Sequence, residues 1–99
     1  MKKLFIAAFM FVFSFTSNAS ADGHGLKMGI ILGFTGPIES LTPAMAASAE
    51  LAFKEASDSG SLLGGKSIEV IRADSTCVDS AAATAAAEGV IAQGVAAIM

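Results

Sequence analysis

Ser40, Leu41 and Thr42, just ahead of Pro43, and the lone Cys77 are the positions in this 99-residue chain whose types and spacing could do chemistry. A helix N-terminus offers unpaired backbone N–H groups and the positive end of the helix dipole, a setting that suits a carboxylate. Ser40 and Thr42 would add hydroxyls there. Both have a plainer use, because Thr at the N-cap with Pro at the first helical position is a helix start signal. Thr42 reads as a cap before it reads as a ligand contact; Ser40 and Leu41 stand equally open to either role. Cys77 sits in the stretch DSTCVDS, Asp74 to Ser80. A reactive thiolate needs a cation or a histidine beside it, and the neighbouring sequence supplies neither.

Other chemistries lack their residues. The spacing G-x-G-x-x-G is absent, as is G-x-x-x-x-G-K-[ST], so Gly33 and Gly36 do not make a phosphate cradle. No G-x-S-x-G elbow occurs, and the single histidine, His24, lies between two glycines with no second ligand nearby. His24 reads as a tail residue. No catalytic residue, metal ligand or cofactor is expected, and the chain does not read as an enzyme.

The elements that would carry these positions begin after an export signal. Met1-Lys2-Lys3 is a basic head, Leu4 to Phe15 is an almost unbroken apolar run, and small and polar residues follow. This is the layout of a secretory signal peptide over residues 1–21, with the cut after Ala21 by the A-x-A rule of Ala19 and Ala21. A spanning helix needs about 20 apolar residues, more than this run supplies. All nine acidic residues lie beyond the cut, against Lys27, Lys54, Lys66 and Arg72, so the remainder is more acidic than the whole chain's net −3. That balance argues against nucleic acid and an anionic membrane surface as partners.

Lys27 to Leu32, KMGIIL, is a short apolar run of the kind buried on both faces in parallel sheets. The loop GFTGPIES follows it. A helix should run from Pro43 to about Ser57, with Met45, Ala49, Ala52, Phe53 and Ala56 on one face and a Glu50–Lys54 pair on its surface. Ser67 to Ala73 reads as a second strand from its β-branched content and flanking turns. Asp79 or Ser80 caps a second, alanine-rich helix, Gly94 stops it, and Val95 to Met99 reads as a third buried strand. The order strand–helix–strand–helix–strand implies an α/β fold with parallel strands and right-handed crossovers. Ligands in such sheets sit beyond the carboxyl ends of the strands, where Ser40, Leu41 and Thr42 fall. A remnant of this size buries only about 60% of its unfolded surface. With a chain that stops on a strand, that leads us to expect the front end of a longer, doubly wound domain, residues 22–99 being part of its first lobe.

Several pieces in order carry a resemblance: Thr35-Gly36-Pro37 after strand one, Leu63-Gly64-Gly65-Lys66 before strand two, and Asp74 with Cys77 and Asp79 before helix two. Residues 27–99 resemble the N-terminal part of the type I periplasmic binding proteins of ABC transporters. The nearest group is the branched-chain amino acid (leucine/isoleucine/valine) binders. The resemblance implies two α/β lobes that close on a small amino acid and dock on an inner-membrane permease, in the periplasm. It implies that Cys77 bonds a second cysteine in a loop beyond Met99. It also places Leu41 where the family often carries a pocket-lining aromatic followed by Gly; here the pair is Leu41-Thr42. A sensor domain of the same fold and an amide- or urea-type solute binder are the alternatives.

Overall fold

The computed structural model describes residues 25–99. The signal peptide, the cut after Ala21 and His24 lie outside the described residues.

Five elements follow in the expected order: β1 (Leu26–Leu32), α1 (Thr42–Asp58), β2 (Ile68–Asp74), α2 (Ser80–Ala92) and β3 (Ala97–Ile98). A single 3-10 turn at Leu63–Gly65 leads into β2. The strands form a three-stranded sheet in the order β2-β1-β3, with both pairings parallel. The apolar run of β1 is therefore central, flanked on both sides. Leu26 pairs with Ile68 and Leu32 with Asp74, so β1 and β2 end together.

Because β1 is central, the first crossover moves one way along the sheet and the second moves back past it. Right-handed crossovers then put α1 and α2 on opposite faces. The side chains agree. Lys27 Nζ donates to the Gln93 carbonyl at the end of α2, and Gly29 lies under Val90. A Cβ at Gly29 would sit 3.3 Å from both the Val90 and Ile98 side chains, so a hydrogen here lets α2 lie close to the sheet. On the other face Arg72, the register partner of Ile30, reaches α1 at Glu50. Ile30, Ala46 and Val90 are the buried apolar centre.

Three expectations are corrected. The inward face of α1 carries Thr42, Ala46, Ala49, Phe53 and Ala56, whereas Met45 and Ala52 point outward. The phase is set at the first residue, where the Thr42 side chain is pinned to the end of β1. Lys54 pairs with Asp58 rather than Glu50. Glu50 is taken by Arg72, whose planar fork grips both carboxylate oxygens at 2.6 and 2.7 Å, a geometry an ammonium cannot match. The third strand is shorter and more open than a buried run: Ile98 is 40% and Met99 52% exposed. Among the described residues β3 has β1 on one side alone, and its ladder is completed by Met99 N–H donating to the Gly29 carbonyl and Ile31 N–H to the Met99 carbonyl.

Candidate functional site

Parallel strands direct their carboxyl ends to one edge, and there two loops meet: residues 33–41 after β1 and residues 75–79 after β2. Sheet order places β1 between strands whose connections leave in opposite directions, the arrangement that opens a crevice at the strand ends. The described residues enclose no cavity, so the site is an open edge.

Gly33 leaves β1 and is buried. A Cβ there would lie 2.8 Å from Cys77 Sγ and 3.0 Å from Cys77 Cβ, so glycine is what allows the second loop to pack on the first. Gly36 holds φ +98, and a Cβ on it would stand 2.9 Å from the Thr76 carbonyl oxygen. The loops are also stitched: the Ser75 N–H donates to the Leu32 carbonyl at 2.9 Å, continuing the β1–β2 ladder one step.

Asp74, the last residue of β2, joins them through its side chain. Oδ1 accepts the Phe34 N–H at 2.9 Å, the Thr35 N–H at 3.3 Å and the Thr76 N–H at 2.8 Å, while Oδ2 accepts the Thr35 hydroxyl at 2.5 Å. These donors, the Thr35 hydroxyl foremost and then the Thr76 N–H, favour the ionised form and hold the carboxyl below its ordinary range. The Phe34 ring carries the Arg72 guanidinium 5.6 Å from its centre. The Arg72–Glu50 hydrogen bonds lower the Glu50 pKa and raise that of Arg72.

The three sequence-derived positions land at this edge with different fates. Ser40 and Leu41 are exposed in the turn before α1, Leu41 at 61%. Thr42 is buried at 0% exposure, and its hydroxyl donates to the Gly33 carbonyl at 2.9 Å. The capping reading of Thr42 is therefore corrected: Leu41 occupies the N-cap, no side chain among the described residues caps α1, and Pro43 is in its first turn. Backbone turns absorb part of the helix start, with the Leu41 and Thr42 N–H groups donating to the Ile38 carbonyl. Among the described residues the Ser40 and Ala44 N–H groups have no protein acceptor. The start of α2 differs. Asp79 Oδ1 accepts the Ala81 and Ala82 N–H groups at 2.8 and 3.4 Å, so a carboxylate of the chain already occupies it. Of the two helix starts, α1 is the one left open to an outside anion.

Cys77 is exposed and free, its Sγ 3.6 Å from the Ser75 hydroxyl oxygen. The disulfide implied by the resemblance would involve a residue outside this chain. No group of metal-ligating side chains occurs among the described residues, and none of their helices is long and apolar enough to cross a membrane.

Sequence reasoning singled out Asp74 as a family-like residue without its role. The available signal is an Asp ending a strand ahead of Ser-Thr, a sequence suited to an Asx turn onto the N–H two residues on. The reach to Phe34 and Thr35 has no such local signal.

The sequence model of a family described as periplasmic binding protein matches residues 25–99. No curated protein and no solved structure gives a significant match. A parallel βαβαβ unit with its loops gathered at one edge, matched along its described length, belongs to the periplasmic binding protein family, whose role is to bind solutes.

Proposed function

We propose that this chain is the solute-binding component of an ABC importer, exported by residues 1–21 to the periplasm, and that it carries branched-chain or related amino acids to an inner-membrane permease. Ser40, Leu41 and the start of α1 form the part of the binding surface contributed by the described residues. The observation that carries this reading is the contrast between the two helix starts: α2 is capped by the Asp79 carboxylate, whereas among the described residues no side chain caps α1 and the N–H groups of the exposed Ser40 and of Ala44 have no protein acceptor. An amino-acid carboxylate would take those N–H groups and the Ser40 hydroxyl, with Leu41 beside its side chain. Thr42 supports the turn from below through Gly33.

The role is binding and release, so affinity comes from closing two lobes over the solute. Calorimetry on the intact exported protein tests it. L-Leucine, L-isoleucine or L-valine should give saturable binding, weakened by Ser40→Ala. Binding of a neutral amide or urea, with none of these amino acids bound, would replace the amino-acid assignment by the amide-type one.

A further inference from the structure

One carboxylate holds the roots of both loops at the solute edge. Of its four donors, the Phe34 N–H, the Thr35 N–H and the Thr35 hydroxyl come from the first loop and the Thr76 N–H from the second. The second loop would not keep its shape cheaply without such a hold. Thr76 and Cys77 are consecutive non-glycine residues at φ 59 and 61, a region that side chains disfavour. The first loop fits against it through Gly33 and Gly36, where no Cβ would be accommodated without displacement.

We propose that Asp74 is a positioning residue of the solute edge: its carboxylate locks residues 34–36 and 75–77 into one unit and sets where Ser40 and Leu41 stand, without itself pairing with the solute. This rests on the reading of that edge as the binding surface. Oδ1 takes three donors and is filled; Oδ2 takes the Thr35 hydroxyl and keeps room for one more. Direct pairing of Oδ2 with a solute ammonium is thus the competing role, and it makes a different prediction for an amide at this position. Asparagine keeps a carbonyl oxygen to accept the three N–H groups and offers its NH2 to the Thr35 hydroxyl, but has no charge.

Hydrogen–deuterium exchange on the intact protein, without added solute, is the test. Asp74→Ala should speed exchange at Phe34, Thr35 and Thr76 by about tenfold or more, the loss of hydrogen bonds to a charged acceptor. Ile30 and Ile31 in β1 should be unchanged, and Asp74→Asn should restore most of the protection. Exchange within about twofold of wild type in Asp74→Ala overturns the proposal, as does a rise shared equally by Ile30 and Ile31. If Asp74→Ala does not fold, Thr35→Val serves: it removes the hydroxyl bond alone and should speed exchange at Phe34 and Thr35, and no change there overturns the proposal. L-Leucine titration separates the roles further. Asp74→Asn should bind close to wild type, whereas a loss of about tenfold or more in affinity assigns Asp74 to the solute and overturns the positioning role. If wild type binds none of L-leucine, L-isoleucine and L-valine, the amino-acid assignment fails, and the exchange data still decide the lock; if it binds only L-isoleucine or L-valine, that amino acid replaces leucine in the titration.

Discussion

The Thr42 hydroxyl donates to the Gly33 carbonyl at 2.9 Å across nine residues of chain, with Thr42 at 0% exposure. This bond ties the first residue of α1 to the residue that leaves β1, and so fixes both the entry of the loop and the rotation of the helix. Thr42→Val keeps the shape and removes the donor. A buried carbonyl left without a partner should lower unfolding free energy by about 1–3 kcal/mol, while Thr42→Ser should recover most of it. Denaturant midpoints at constant m-value check this, and equal midpoints for Val and Thr would show that the bond contributes nothing.

The contact between Gly33 and Cys77 is steric. Gly33→Ala should destabilise by about 1–3 kcal/mol, because its methyl must displace the second loop. In a Cys77→Ala background the penalty should shrink, since the Sγ at 2.8 Å is gone, but persist in part because the residue-77 Cβ stays at 3.0 Å. A double-mutant cycle with no coupling would contradict the packing.

Arg72 spans three elements: it sits on β2, forks onto Glu50 of α1 and lies over Phe34 of the first loop. Arg72→Lys should weaken the α1–β2 tie despite keeping the charge, because lysine lacks the planar fork. Arg72 is exposed and Glu50 only half-buried, so the coupling should be small and should fall with added salt. Stability cycles with Glu50→Gln at low and high ionic strength read this directly.

The carboxyl of Asp74 titrates below its ordinary value of 3.8 in the folded chain. A depressed folded pKa contributes stability above the unfolded value and loses it as pH falls through the folded one. Asp74 therefore stabilises throughout the neutral range, and its contribution disappears only in acid, below about pH 3.8. Glu50, lowered by Arg72, acts in the same direction from its ordinary 4.5. Asp74→Asn should flatten the acid limb of a stability–pH curve and leave its slope near neutrality unchanged. An unaltered acid limb would mean that the charge is not what the fold uses.

Asp79 caps α2 through Oδ1, and Asp79→Ala should cost about 1 kcal/mol, with Asp79→Ser recovering part. Loss at this cap should also open the start of α2 to outside anions. A rise in thermal stability on adding sulfate, larger in Asp79→Ala than in wild type, is the readout.

The elements were legible for local reasons. Val and Ile at β2, alanines in α2, Pro43 at the start of α1 and Asp79 ahead of α2 each act through backbone preference within a few residues. The position of Ser40 and Leu41 at the strand-end edge followed from element order. The inward face of α1 was not legible, because alanines occur around much of its circumference and leave the hydrophobic phase undecided; Thr42, a polar residue, sets it by a bond to another element. Nor was the destination of Glu50, since Lys54 is its local partner and Arg72 is brought beside it only by the α1–β2 packing.

By itself the sequence determined the alternation of strands and helices, the acidic balance, the glycines at the loop roots and a single thiol, all properties of residues and near neighbours. Only the tertiary structure decided that β1 lies between β2 and β3 and that α1 turns Thr42 and Ala46 inward. It also decided that Asp74 gathers donors from a loop some forty residues away in the chain. Those outcomes depend on strand register and side-chain reach between distant segments. A side chain's distant partner exists only once the parallel sheet has set the two strand ends side by side.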